Sequence, residues 1–333
     1  MILKNKRFKA ARIAIFNHKG GVGKTTLAVN VASAIASSGK RVLMVDSDPQ
    51  CNLTAYRVEE SVVNDLLDNS DGANGNTLWS ALKPIAEATG DVKQIKPIEL
   101  SSNLFLLAGD IRLIEFEQEL NGLWGECFQR RAKGFRGITA LSNLVNQIAE
   151  RGDFDFVFYD SGPNIGPLNR VILLDCDYFA VPAACDLFSL RAITTLGHVL
   201  AKWVEDWQTI LELAPDDIYL LPGKPKLLGY IPQRFRVYRD FPASQYAKFM
   251  PQIEKRVRSD VVAVLKRTDA DLILPDYPLK LGDVKDFASL VTASQVEGVP
   301  VSEVDDGDPH QKALAEDAFS ALAKEIIKRT SSS

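Results

Sequence analysis

The stretch from Ala11 to Asp46 places the strongest constraint on what this chain can fold into. Arg12-Ile13-Ala14-Ile15-Phe16 is a short apolar run that feeds directly into Asn17-His18-Lys19-Gly20-Gly21-Val22-Gly23-Lys24-Thr25-Thr26. Behind it, Leu27, Val31, Ala34 and Ile35 recur at helical spacing, Gly39 serves as a helix stop, and Val42-Leu43-Met44-Val45 forms a second apolar strand. This is the pattern of a βαβ unit, in which the crossover helix implies a parallel sheet. A glycine-rich turn between strand and helix gathers backbone N–H groups and the positive end of the helix around one point, as a triphosphate requires. Gly20, Gly21 and Gly23 let the backbone come close, Lys24 can reach the β- and γ-phosphates, and the Thr25 hydroxyl can ligate Mg²⁺. The usual pattern GxxxxGK[ST] would have glycine at position 18, where this chain has His18. Set against this reading is a glycine turn that merely precedes a lysine, which the placement after one strand and before one helix disfavours.

The rest of the chain repeats the alternation. Leu104 to Leu107 reads as a strand, Ile111 to Leu120 and Ile138 to Ala149 as helices, and Phe154 to Tyr159 as a buried strand ending on Asp160. Tyr178 to Val181 is a strand ending on Pro182, followed by a long helix from Leu187 to Leu213 and a strand from Leu227 to Ile231. Ser244 to Lys266 reads as a basic helix, Leu272 to Leu274 as a short strand, and Gln311 to Lys328 as a closing amphipathic helix. The fold class expected is α/β: a doubly wound, mostly parallel sheet with helices on both faces and ligands at the carboxyl ends of its strands. A single domain over 1–333 is expected, with insertions near 57–103 and 121–137 and an exposed loop at Asn69 to Asn76. No separate DNA-binding module is visible ahead of the phosphate loop.

Two further segments carry acids. Asp46-Ser47-Asp48-Pro49-Gln50 ends the second strand, and Asp160 ends the strand from Phe154. In isolation the first is a turn with an Asx cap and the second a strand-end turn. Their distance behind a phosphate loop favours acids that orient water and hold the water shell of a metal.

Asn17-x-Lys19-Gly20-Gly21-Val22-Gly23-Lys24-Thr25-Thr26 resembles the deviant Walker A motif of the ParA/MinD class. Arg41 to Thr54 is similar to that family's segment around its two acids, and Asp160-Ser161-Gly162-Pro163 to its switch after the Walker B acid. Ala180-Val181-Pro182 and Phe188-Ser189-Leu190 match the strand and helix beyond. The resemblance is weaker at Ala288 to Pro300 and in the last helix. It implies a P-loop ATPase with ATP and Mg²⁺ as cofactors, cradled by Lys19, Gly20, Gly21, Val22, Gly23, Lys24, Thr25 and Thr26. It also implies a homodimer with ATP sandwiched between subunits, to which Lys19 supplies in trans the charge that an arginine finger supplies elsewhere. By the same match Asp48 positions the attacking water, and Thr25, Asp46 and Asp160 attend the metal. The chain departs from the family pattern at Cys51, usually glycine, and at Gly162, usually proline.

Members of this class bind a surface as ATP dimers and are released when a partner, such as a ParB-like adaptor, stimulates hydrolysis. A net charge of −4 argues against coating of nucleic acid by bulk electrostatics, so nonspecific DNA binding needs a local patch. Lys255, Arg256, Arg258, Lys266 and Arg267 form one, joined by Arg234, Arg236 and Arg239 around Phe235 and Tyr238. The competing reading is a solvated helix face balanced by Glu254 and Asp260. The last helix has an apolar side at Leu314, Leu322, Ile326 and Ile327 but lacks aromatic membrane anchors, which favours core packing over a MinD-like membrane helix. With no apolar run of membrane-spanning length and a basic start (Lys4, Lys6, Arg7, Lys9) that lacks a signal-peptide core, a cytoplasmic, nucleoid-associated protein is expected. Cys51, Cys127, Cys176 and Cys185 have neither CxxC spacing nor scaffold density, so reduced thiols are expected; the alternatives to a partition ATPase are a MinD-like membrane-recruited cell-division regulator and a metabolic or iron–sulfur enzyme sharing the loop.

Overall fold

The computed structural model describes residues 9–235, 237–238, 241–242, 244–275 and 277–331. Lys4, Lys6, Arg7, Arg236 and Arg239 lie outside the described residues, as do the side chains of Arg234, Phe235 and Tyr238. The strands are β1 (Ala11–Ile15), β2 (Val42–Asp46), β3 (Ile98–Ser101), β4 (Leu104–Leu107), β5 (Phe156–Asp160), β6 (Tyr178–Ala184), β7 (Lys226–Phe235), β8 (Val237–Tyr238), β9 (Phe241–Pro242) and β10 (Val284–Lys285). One eight-stranded sheet has the order β10-β7-β6-β1-β5-β2-β4-β3, and β8 pairs with β9 separately. Within the large sheet every pairing is parallel except β3 against β4.

The apolar character of β1, β2 and β5 follows from burial on both faces. Alternation then sorts their side chains into two layers. Ile13, Met44 and Phe158 pack on one face beneath the helices Lys24–Ser37 and Pro309–Ser331. Ala14, Leu43 and Tyr159 pack on the other beneath Ala140–Arg151, Pro167–Asp175 and Leu187–Leu213. This is the doubly wound α/β arrangement, with β1 between β5 and β6 and the loop after β1 at the carboxyl edge. Leu322 and Ile326 of the last helix are buried in the first layer, which accounts for its apolar side.

Several elements differ from the sequence reading. β6 does not stop at Pro182 but runs to Ala184. Its pairing with β1 ends at Ala180, so the missing N–H of Pro182 interrupts no ladder, and the Pro182 carbonyl accepts a hydrogen bond from Asn17 Nδ2 at 2.8 Å. Leu272 to Leu274 is not a strand. Asp269 caps a 3₁₀ turn over Ala270–Leu272, leaving one isolated bridge from Ile273 to Leu227. The helix expected over 111–120 spans Leu113–Phe128, and residues beyond it form a second helix, Ala132–Ile138. The two touch so closely that a Cβ on Gly134 would lie 2.7 Å from Cys127 N and Leu123 O. Residues 57–103 hold the helices Glu60–Asp68 and Leu78–Ala86 and strand β3. In the loop at Asn69 to Asn76, Ser70 and Gly75 are buried, because the Ser70 carbonyl accepts from Ser80 Oγ at 2.7 Å.

The basic helix is also modified. Ser244–Arg256 passes into a π-helical turn, Val257–Val262, before Ala263–Thr268. That turn brings backbone against Gly197 of Leu187–Leu213, where a Cβ would collide with the Asp260 carbonyl oxygen and lie 2.7 Å from Val261 Cα. Gly197→Ala should therefore destabilise the protein by about 1–3 kcal/mol in urea unfolding, because backbone on both sides must move.

Candidate nucleotide site

The loop after β1 is shaped by left-handed glycines. Gly21 has φ 70° and Gly23 φ 79°, and a Cβ on Gly23 would strike the Gln233 side chain. Asn17 holds the loop from inside. Its Oδ1 accepts from Lys19 N at 3.0 Å, and its backbone carbonyl accepts from Lys24 Nζ, also at 3.0 Å. Lys24, the first residue of the helix Lys24–Ser37, is buried, and burial lowers its pKa against the opposing pull of Asp160 and Asp48. Its ammonium thus rests on loop carbonyls where phosphate oxygens would compete for it. His18 Nε2 is 3.1 Å from Thr195 Oγ1, which ties the loop to the helix Leu187–Leu213.

Three acids meet at the carboxyl edge beside this loop. Asp46 and Asp160 are register partners on β2 and β5, and both are buried. Asp46 Oδ2 accepts from Thr54 N at 2.7 Å and Thr54 Oγ1 at 2.6 Å, and Thr54 Oγ1 in turn accepts from Gly109 N at 2.8 Å. Gly109 has to be glycine, since a Cβ there would sit 2.8 Å from Asp46 Cγ. Burial, then the neighbouring Asp160, push the Asp46 carboxyl up to about 8, against the Thr54 hydrogen bonds. Burial likewise lifts Asp160 to about 7, while Thr25 and Lys24 pull it down. Thr25 pulls as a hydrogen-bond donor of poor geometry: no well-formed hydrogen bond reaches the buried Asp160 Oδ1 and Oδ2 or Asp46 Oδ1. Asp48, also buried, accepts from Gln50 N at 3.0 Å and stands against Gly162, where a Cβ would lie 3.3 Å from Asp48 Oδ1.

Orphaned hard oxygens beside a threonine hydroxyl and a phosphate loop fit Mg²⁺. The three acids stand beside one another but do not close on a single point: among the described residues no three acidic, histidine or cysteine side chains are placed to ligate one ion by themselves. That suits a cation that keeps waters and leans on phosphate oxygens.

Lys19 lies apart from the acids. Its Nζ is 2.5 Å from Asp186 Oδ2 and 3.1 Å from Ser189 Oγ of the same chain. Asp186 also caps the helix Leu187–Leu213 by accepting from Ser189 N at 2.7 Å. Burial works to raise the Asp186 carboxyl, but the bonds from Lys19 and Ser189 outweigh it and hold the pKa low. Cys51 takes up the left-handed conformation, φ 53°, that glycine adopts without strain. Its thiol is buried, and desolvation followed by nearby Asp46 pushes its pKa up, so it is inert.

In the basic cluster, Arg256 pairs with Asp260 and Arg258 with Glu254, each at 3.2 Å. Lys255, Lys266 and Arg267 are exposed and have no ion pair among the described residues. Thr54, Gly109, Asp186 and Gln233 escaped the sequence reading as site residues. Thr54 stood in a segment singled out there, and Asp186 directly ahead of the helix expected from Leu187; Gln233 and Gly109 arrive from distant strands without a local signal.

Residues 10–213 match a family described as an AAA domain. The match covers more than half of the chain and contains the loop and all three acids. Over 192 residues the chain is 30% identical to the chromosome partitioning protein ParA of Myxococcus xanthus, a stretch covering 56% of this chain and 57% of that one. The chain belongs to the ParA family of P-loop ATPases, of the partition type. The sporulation initiation inhibitor protein Soj of Bacillus subtilis is 30% identical over 190 residues, 55% of this chain and 62% of that protein. These matches thus span less than two thirds of either curated ParA relative. An uncharacterized protein of Methanocaldococcus jannaschii is matched more fully, at 26% identity over 95% of this chain and 98% of its own length. Among solved structures, a Corynebacterium diphtheriae protein superposes with TM-score 0.71 at 27% identity, covering 96% of this chain and 98% of that one. A Cyanothece McdA variant bound to ATP shares the fold, with TM-score 0.60 at 18% identity over 96% of this chain and 97% of that one.

The acid pair generates a pH dependence in the nucleotide-free ParA-family chain. Both carboxyls titrate above their ordinary value of 3.8, so the folded state retains protons that the unfolded state has released. Stability from this pair is therefore full below about pH 4 and declines as pH rises through the folded values. In urea unfolding with EDTA, Asp160→Asn should make that decline shallower and raise stability at pH 8 by about 1–3 kcal/mol.

Proposed function

We propose that the chain is an ATP-dependent dimerising ATPase that binds nonspecific DNA as its ATP dimer and leaves it on hydrolysis, partitioning a replicon or positioning a cargo. The observation that carries this reading is the convergence of Lys24, Asp46, Asp48 and Asp160 at the carboxyl edge of the sheet, with three carboxylate oxygens left unpaired. On this reading 1–333 is one ATPase domain, and 57–103 and 121–137 are insertions on it. Gly20 to Thr26 cradle the phosphates and Lys24 exchanges its loop carbonyls for phosphate oxygens. Thr25, Asp46 and Asp160 would hold Mg²⁺, which supplies charge neutralisation on the phosphates. Asp48, beside the small Gly162, orients the attacking water.

Lys19 acts across a homodimer. In the single chain it is latched to Asp186, so dimerisation exchanges that carboxylate for the nucleotide of the partner. Ile165, Leu187 and Phe188, which follow the carboxyl ends of β5 and β6, are 45%, 52% and 68% exposed and offer apolar surface to the same interface. The DNA surface is the cluster of Lys255, Arg256, Arg258, Lys266 and Arg267, with Lys255, Lys266 and Arg267 free to meet phosphates. A ParB-like adaptor would stimulate hydrolysis, and the protein would be cytoplasmic and nucleoid-associated with ATP. Among the described residues no helix is long and apolar enough to cross a membrane, and the apolar side of the last helix is used in the core.

Light scattering and phosphate release test the reading together. Wild type should dimerise with MgATP, Lys19→Ala should bind ATP yet stay monomeric, and Asp186→Ala should dimerise at lower ATP. Asp48→Ala should remain a dimer with phosphate release slowed about a hundredfold or more. An ATP-dependent dimer of Lys19→Ala would refute the trans role. Duplex binding should require ATP and weaken steeply with salt; its absence at low salt with ATP present would remove DNA from the proposal.

A further inference from the structure

The turn between the helices Leu113–Phe128 and Ala132–Ile138 carries a charge pattern that the nucleotide site does not use. Arg130, Arg131, Lys133 and Arg136 follow one another closely, and the chain has no acid between Glu126 and Glu150. A solvated surface ordinarily mixes both signs, and this chain is acidic as a whole, at −4. All four cations are exposed. Arg130, Arg131 and Arg136 make no ion pair among the described residues, and Lys133 reaches Glu126 at 3.8 Å.

Backbone bonds hold the turn that presents them. Arg130 N donates to Cys127 O at 2.9 Å and Arg131 N to Glu126 O at 3.0 Å, which closes the first helix and reverses the chain. Arg130 sits at φ 59°, a left-handed conformation that glycine adopts more readily. A guanidinium thus stands where glycine would ease the turn.

The turn also has a telling neighbour. Trp124, one helical turn before Phe128, packs against Trp207 of the helix Leu187–Leu213 with ring centroids 5.6 Å apart. Two residues earlier on that long helix, Glu205 accepts from Thr268 Oγ1 at 3.0 Å, and Thr268 directly follows Lys266 and Arg267 of the proposed DNA cluster. One stretch of the long helix therefore receives the ends of both basic segments. The acids on that stretch are engaged, Glu205 by Thr268 and Asp206 by Lys202 at 3.3 Å.

We propose that Arg130, Arg131, Lys133 and Arg136 form a second phosphate-backbone contact, which extends the DNA surface of Lys255, Lys266 and Arg267 past the helix Leu187–Leu213. This rests on the reading that the chain binds duplex DNA. Guanidinium forks on a fixed turn suit phosphate oxygens and read no bases. An anionic bilayer fits less well: Ala132–Ile138 turns Phe135 and Ile138 into the core, which leaves Phe128, 42% exposed, without an apolar helix face around it.

Fluorescence anisotropy of a labelled random-sequence duplex, titrated with the full chain and MgATP over a range of salt, tests the second contact. The slope of log affinity against log salt should become shallower by about 2–3 in the combined Arg130→Ala, Arg131→Ala, Arg136→Ala variant, and lysine at the same three positions should restore it. The three side chains are exposed and lack ion pairs among the described residues, so the thermal unfolding profile should stay that of wild type. An unchanged slope, where wild type binds, would overturn the second contact and leave the Lys255 cluster standing. No duplex binding by wild type would overturn both. A variant that keeps its duplex slope but loses binding to phosphatidylserine vesicles would assign the turn to a membrane and overturn the DNA contact.

Discussion

Asp46 and Asp160 stand side by side at the ends of adjacent parallel strands, and burying two carboxylates in register is the constraint around which the site is organised. Such a pair repels itself and loses hydration, so it persists only with compensating partners. Thr54 supplies two hydrogen bonds to Asp46, and Gly109 brings backbone close enough to fix Thr54. Lys24 supplies positive charge from the first helical turn. What is left over, three unpaired carboxylate oxygens, is a standing demand for a cation or protons. The raised pKa values and the fit to Mg²⁺ are two expressions of one imbalance.

The phosphate loop is held just as indirectly. Asn17 reaches the carbonyl of Pro182 on β6, and Gln233 of β7 covers Gly23. Lys19 and His18 each touch the helix Leu187–Leu213, the first through Asp186 and Ser189, the second through Thr195. That long helix is itself packed through Gly197 against the π-helical turn of the basic segment. The loop, the latch on Lys19 and the basic segment thus all contact one helix.

The phosphate loop, the acids at strand ends and the helix Leu187–Leu213 were legible in the chain because each is specified over short distances. Glycine before lysine and threonine, an aspartate closing an apolar run, and apolar spacing near 3.6 are local physical rules. The same rules misplace Pro182 and Leu272 to Leu274. A proline interrupts a strand only where a neighbour needs its N–H, and a short apolar run fails to extend as a strand where a capped turn takes its first residue, as Asp269 does over Ala270–Leu272.

The sequence by itself determined the α/β class, the glycine-rich loop after the first strand and the three acids that end beside it. Only the tertiary structure decided their partners: Thr54 on Asp46, Gly109 behind Thr54, Gln233 over Gly23 and Asp186 on Lys19. The physical reason is that a parallel sheet joins strands through long crossovers. Residues meeting at its carboxyl edge come from distant segments, so their contacts depend on strand order and register, which no local pattern encodes.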